Sequence, residues 1–251
     1  MEQTGQAGES SVESFSADVG GSRLYCLKAG IGPAVVLMHG GASNSSDWAE
    51  TMDALSDSYS LYAPDMIGYG QSDKPKEAYS LSDFVKATHG LIQKLNLSSL
   101  VLVGHSLGGR VCLEIALRHP EIVVGLVLVD SPGFAKLAWW GGFLGAVAWG
   151  IRSMLGRPQP YPRFRTEAGE DRNWRCLDRL PALSVPTLLV WNRRDPYYSM
   201  SGALKAAELI PNVQMEVFPR YGHAPHKQDR EGFNEVLLRF LNNIGHSGPF
   251  I

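Results

Sequence analysis

A serine hydroxyl that is to attack a carbonyl must stand clear of its own backbone, and Gly104-His105-Ser106-Leu107-Gly108 meets that need. An apolar run at residues 100–103 precedes it, and a helical pattern over residues 107–118, closed by Pro120, follows it. A serine at so tight a strand-to-helix turn is held in a strained backbone conformation. Glycines two residues before and two after leave room for the close approach. The helix aims its first N–H groups at the reacting centre, where they stabilise charge growing on a carbonyl oxygen.

A hydroxyl at neutral pH is a weak nucleophile and needs a base within hydrogen-bond reach. Of the seven histidines, His223 is the candidate. It follows Pro219-Arg220-Tyr221-Gly222, a loop at the C-terminal end of the strand expected at residues 214–218. Catalytic groups gather at that edge of a parallel sheet. His119 and His246 are bland, and His89 lies on a helical stripe. His105 belongs to the turn itself and is expected to point away from the serine, while His226 reads as a loop-stabilising neighbour.

The acid that orients the imidazole is assigned to Asp195, just beyond the strand ending at Trp191; Asp130, at the end of the preceding strand, is its rival. The oxyanion donors are expected to be the backbone N–H groups of Gly41 and Leu107, with Ala42 as an alternative to Gly41. His39 is read as a brace for that loop. Asp65, Gly68, Gly70 and Ser72 read as a structural turn.

These side chains need a frame. Strands are expected at residues 22–29, 34–38, 60–63, 100–103, 124–129, 187–191 and 214–218, and helices at 47–55, 81–95, 107–118, 200–209 and 232–241. The strands are apolar throughout instead of alternating, which indicates a mostly parallel sheet covered on both faces. The rhythm breaks between Gly133 and Leu180, a stretch rich in tryptophan and expected to form a helical lid. The chain therefore divides into a flexible tail at 1–19, a core at 20–132, a lid at 133–180, a second part of the core at 181–245 and a tail at 246–251. Residues 138–151 fall short of the roughly 20 needed to span a bilayer.

With 251 residues, 44% hydrophobic and 19% charged, the chain is in the soluble globular class. A net charge of -2 speaks against phosphate-backbone binding, so no nucleic-acid partner is expected. Three scattered cysteines make neither a disulfide framework nor a thiolate metal site. The first residues lack a basic segment followed by an apolar run, so a cytoplasmic address is the default expectation.

Taken in order, His39-Gly40-Gly41, Asp65-Met66-Ile67-Gly68-Tyr69-Gly70-Gln71-Ser72-Asp73, Gly104 to Gly109, the Asp195 loop and Gly222-His223 resemble the α/β-hydrolase superfamily. The resemblance covers residues 20–132 and 180–242. It implies the α/β-hydrolase fold, a mostly parallel sheet flanked by helices with a short helical lid insertion, and the chain order Ser, Asp, His. It implies no cofactor and no metal. Among its branches the chain is similar to small serine carboxylesterases and to the meta-cleavage-product hydrolases, which cut carbon–carbon bonds. The phrase Ala63-Pro64-Asp65-Met66-Ile67-Gly68-Tyr69-Gly70 is close to the latter. Haloalkane dehalogenases and epoxide hydrolases use an aspartate nucleophile, against which Ser106 argues.

Three departures stand out. The insertion is shorter than the usual lid. Ala224 follows His223 where the carbon–carbon hydrolases carry tryptophan, and His226-Lys227-Gln228-Asp229 replaces a stretch that often holds a glutamate. The expected function is cleavage of a small, fairly hydrophobic ester through an acyl-enzyme, with no stable membrane span and a homodimer left open. A carbon–carbon hydrolase and a non-catalytic ligand-binding protein are the alternatives.

Overall fold

The computed structural model describes residues 12–75, 79–138, 143, 147, 150–155, 162, 164–167 and 174–247. Eight strands form one sheet: β1 (Glu13–Val19), β2 (Ser22–Ala29), β3 (Ala34–Met38), β4 (Ser60–Pro64), β5 (Leu100–His105), β6 (Val123–Val129), β7 (Thr187–Arg194) and β8 (Val213–Tyr221). Their order across the sheet is β1-β2-β4-β3-β5-β6-β7-β8. The β1–β2 and β2–β4 pairs are antiparallel, and every later pair is parallel.

Every residue of β3 and β5 is buried, as a strand covered on both faces requires. Successive side chains still point to opposite faces, and two cores result. Val36, Met38, Leu102, Leu128 and Trp191 pack with Phe84 of α2 (Leu81–Lys94), Val111 and Ile115 of α3 (Leu107–Arg118) and Ala206 of α4 (Met200–Leu209). Val35, Leu37, Val103, Val129 and Val190 pack with Met52 of α1 (Ala49–Leu55). A single helical turn, α5 (Pro225–Gln228), leads into α6 (Arg230–Ser247), whose Phe233, Leu237 and Leu241 complete this second core.

The chain runs from β3 to β4 on one side, then crosses to β5 on the other. This reversal brings Met38 beside Gly104 in the sheet. A crevice forms at such a switch point, just beyond the carboxyl ends of the strands. The loops after β3, β5, β7 and β8 all open there.

Three sequence expectations need correction or restriction. Residues 13–19, assigned to a loose tail, form β1, which pairs with β2 from Glu13↔Lys28 to Val19↔Ser22. Its pattern is mostly polar because an edge strand buries little; only Ala17 is buried. The final helix extends beyond residue 241 to Ser247 and so takes in His246, which had been placed in the tail. In the insertion, Phe143, Val147 and residues 150–154 are helical, whereas Trp139, Trp140, Leu144, Trp149 and residues 158–161 lie outside the described residues. No helix among the described residues is long and apolar enough to cross a membrane.

Candidate active site

Ser106 sits between the end of β5 and the start of α3 with φ 48° and ψ -121°. That conformation is strained for a residue with a side chain. Neighbouring backbone enforces the turn: a Cβ on Gly104 would lie 2.5 Å from Gly109 Cα, and one on Gly108 would lie 2.5 Å from the carbonyl oxygens of Met38 and His39. Only glycine fits either position. The Ser106 N–H is held by the Val129 carbonyl of the next strand at 2.8 Å.

The structure brings the three sequence-selected side chains together. His223 Nε2 lies 2.9 Å from Ser106 Oγ, and His223 Nδ1 lies 2.8 Å from Asp195 Oδ2. With Nδ1–H donating to the carboxylate, Nε2 is left as the acceptor that can take the serine proton. Asp195 is fixed in turn, since its Oδ1 accepts from the Tyr197 N–H at 2.7 Å and the Tyr198 N–H at 3.3 Å. The Asp195 side chain is fully buried and that of His223 is 19% exposed, so the proton acceptor is within reach of a ligand while its orienting charge is dry.

Asp130 does not bond the imidazole. Its Oδ1 accepts from the Asn192 N–H at 2.9 Å and its Oδ2 from Asn192 Nδ2 at 3.2 Å. Burial, reinforced by the charge of nearby Asp195, pushes its carboxyl well above the usual carboxylate range.

The loop after β3 lies over the serine. A Cβ on Gly40 would come within 3.4 Å of Ser106 Cβ, and Ala42 has a positive φ of 60°. His39 ties this loop down: its Nδ1–H donates to the Gly40 carbonyl at 2.7 Å, and its Nε2 accepts from the Met66 N–H at 3.0 Å. Burial holds the His39 imidazole below its ordinary pKa, in the neutral form that this pairing needs. The next turn is likewise built on side chains. Asp65 accepts from the Ser45 N–H at 2.7 Å and the Gln71 N–H at 2.6 Å, and Ser72 Oγ donates to the Asp65 carbonyl. Leu107 opens α3 directly after Ser106, and Gly41 follows Gly40 in the loop over the serine.

Several supporting residues escape a reading of the chain. The Nε2–H of His105 donates to the His223 carbonyl, so the residue before the serine holds the backbone of the proposed base. Gln228 does the same from the other side. Its Nε2 donates to the Tyr221 carbonyl at 2.9 Å, and its Oε1 accepts from Asn192 Nδ2 at 3.0 Å. Asp229 adds an ion pair with Arg220 at 3.6 Å. The segment that departs from the usual glutamate therefore still braces the loop. His226 is buried in a stack on Trp48 with ring centroids 4.4 Å apart, and burial pushes its pKa down to about 3. Gly222, at φ 152°, leaves room for the Gln228 side chain where a Cβ would collide, and His226 takes the loop-stabilising place read from the sequence.

Among the described residues, two groups bring three potential metal-ligand atoms within 4.8 Å of one another: Asp47, His105 and His226, and Asp130, Asp195 and His223. In the first, Asp47 is engaged by Lys227 Nζ at 2.7 Å. In the second, His223 uses both ring nitrogens in hydrogen bonds.

A family model described as the alpha/beta hydrolase fold matches residues 33–170. The 2-(acetamidomethylene)succinate hydrolase of Mesorhizobium japonicum is 34% identical over 90% of this chain and 94% of its own. The 2-hydroxymuconate semialdehyde hydrolase of a Pseudomonas species is 27% identical over 88% of this chain and 91% of its own. Among solved structures, carboxylesterase CesB of Bacillus subtilis superposes with a TM-score of 0.83 at 23% identity, covering 92% of each chain. The family match, the Mesorhizobium relative and the sheet order agree: this chain belongs to the α/β-hydrolase fold family.

Proposed function

We propose that the protein is a serine hydrolase that cleaves carboxylic esters of small, fairly hydrophobic molecules through an acyl-enzyme. The observation that carries this reading is the continuous relay from Ser106 Oγ through His223 to Asp195, with contacts of 2.9 and 2.8 Å. His223 takes the serine proton as Oγ attacks the ester carbonyl, and Asp195 steadies the imidazolium. The Gly41 and Leu107 N–H groups receive the oxyanion. His223 then protonates the departing alcohol, a water attacks the acyl-enzyme, and Ser106 is restored. Residues 133–180 act as the lid over this crevice.

Carbon–carbon bond hydrolysis is the second reading. It draws support from the Pseudomonas relative, whose name describes action on 2-hydroxymuconate semialdehyde. Ala224 beside His223 favours the ester reading. A panel of p-nitrophenyl esters of rising chain length, with one dienoate meta-cleavage product, separates the two. The expected result is ester turnover exceeding dienoate turnover in the wild type, with both abolished in Ser106→Ala. Fluorophosphonate labelling of the wild type but not of Ser106→Ala tests the nucleophile directly. An unlabelled wild type without ester turnover would instead identify a binding protein.

A further inference from the structure

Three side chains that the relay does not use meet beside it. Asp47 lies in the single turn Ser45–Trp48 after β3, His105 ends β5, and His226 lies in α5. One potential ligand atom from each falls within 4.8 Å of the other two. His105 is 7% exposed and His226 3%, and the Asp47 side chain is 10% exposed. Elements far apart in the chain thus bring two imidazoles and a carboxylate to one nearly dry point.

Their hydrogen bonds are incomplete in a particular way. The Nε2–H of His105 donates to the His223 carbonyl, which leaves Nδ1 as a bare lone pair. That Nδ1 is buried without a hydrogen-bond partner among the described residues, and so are both ring nitrogens of His226. The His226 ring is not free to turn away, because it stacks on Trp48 and meets Phe233 edge-on with ring centroids 5.8 Å apart. Buried polar atoms left unmet are costly, so three of them beside a carboxylate point to a missing ligand.

A buried water, which bonds two to four polar groups, is the uncharged alternative. The chemistry of the donors favours a cation. An imidazole that ligates a metal characteristically gives its far N–H to a carbonyl or carboxylate, as His105 does. Two imidazoles with one carboxylate are a zinc ligand set that keeps its fourth position for water. Lys227 Nζ already stands as a positive charge 2.7 Å from Asp47 Oδ1. Its side chain is 46% exposed and can turn to solvent, leaving the carboxylate to an ion. A tetrahedral ion with bonds of about 2.1 Å holds its ligand atoms about 3.4 Å apart, so the set closes by at most about 1.4 Å.

We propose that Asp47, His105 and His226 bind a divalent first-row transition metal ion, zinc above all, beside the relay and separate from it. An ion there grips the ring that holds the His223 carbonyl and so braces the loop of the proposed base. This does not depend on which bond Ser106 attacks, and no turnover is needed to read it. The test is calorimetric titration of chelator-stripped protein with zinc chloride. The expected result is a saturable site in the wild type that is lost in His226→Phe, which keeps an aromatic ring on Trp48. Asp47→Asn, near the surface, is expected to weaken binding at least about tenfold. His223→Ala, which leaves the backbone carbonyl in place, is expected to keep the site. Thermal melting of the metal-free variants shows that they fold, and zinc is expected to raise Tm in the wild type but not in His226→Phe. A wild type that takes up no zinc overturns the proposal and leaves the nitrogens to water. Equal binding by wild type and His226→Phe also overturns it, as does binding lost in His223→Ala and kept in Asp47→Asn, which moves the ion to the relay.

Discussion

Two carboxyl groups approach the imidazole side of the site, and their hydrogen bonds assign them different work. Asp195 turns one oxygen to His223 and anchors the other on two backbone N–H groups. Asp130 is committed to Asn192, and burial together with the charge of Asp195 favours its neutral form. A neutral acid cannot stabilise an imidazolium. Asp195→Asn is therefore expected to lower kcat by about 10⁴, while Asp130→Asn lowers it by less than about tenfold. Steady-state ester kinetics of the two variants side by side checks this. Equal losses would mean that the two carboxyls share the role.

The turn that lifts Ser106 depends on the elements on either side of it. Gly108 of α3 packs against the end of β3, so the helix approaches the sheet at backbone distance. Gly108→Ala is expected to destabilise the fold by roughly 2 kcal/mol and to disable the serine with it. Thermal melting beside fluorophosphonate labelling reads both effects. Farther along α3, Glu114 holds Arg110 at 2.8 Å, Arg118 at 2.7 Å and Arg179 at 2.8 Å. Arg110 also donates to the Trp174 carbonyl at 3.1 Å, so this cluster fastens the end of the insertion to the helix that follows the serine. Burial alone would raise the Glu114 carboxyl, but the three guanidinium groups outweigh it and hold the pKa down at about 2. A depressed carboxylate stabilises the fold above its ordinary pKa of 4.5 and loses that contribution as the pH falls through about 2. Glu114→Gln is expected to cost about 3 kcal/mol at neutral pH, with the gap in Tm to wild type closing as the pH is lowered across that window.

The whole molecule is a sheet whose candidate site is built on β5, β7 and β8 and whose opposite edge, β1, is made from a segment with a mostly polar pattern. β1 covers β2, and Val19 packs against Gly90 of α2, where an added Cβ would meet its Cγ1 at 2.5 Å. Without β1 the edge of β2 is open for pairing with another chain. Deletion of residues 1–19 is expected to lower Tm and to promote aggregation, followed by calorimetry and light scattering. Because β1 lies at the far edge from β5, β7 and β8, protein that remains monomeric is expected to keep ester turnover.

Family resemblance supplied the chain order of the proposed relay residues; the sequence by itself determined the central strands and the serine turn. These rest on local physics: a strand buried on both faces must be apolar, and a backbone-to-backbone approach admits only glycine. It also marked His39 as a brace and Asp65 as a turn former, since short polar side chains beside a tight loop bond their own neighbourhood. The sequence favoured Asp195 over Asp130, but only tertiary structure shows which carboxyl bonds His223, because both end neighbouring strands and the path of the β7 loop turns one of them to the imidazole. It also decided the support from His105 and Gln228, whose partners are backbone carbonyls that any residue supplies and no sequence pattern marks. The edge strand β1 belongs with these. Its half-exposed, polar residues have no reason to be extended until β2 is there to pair with them.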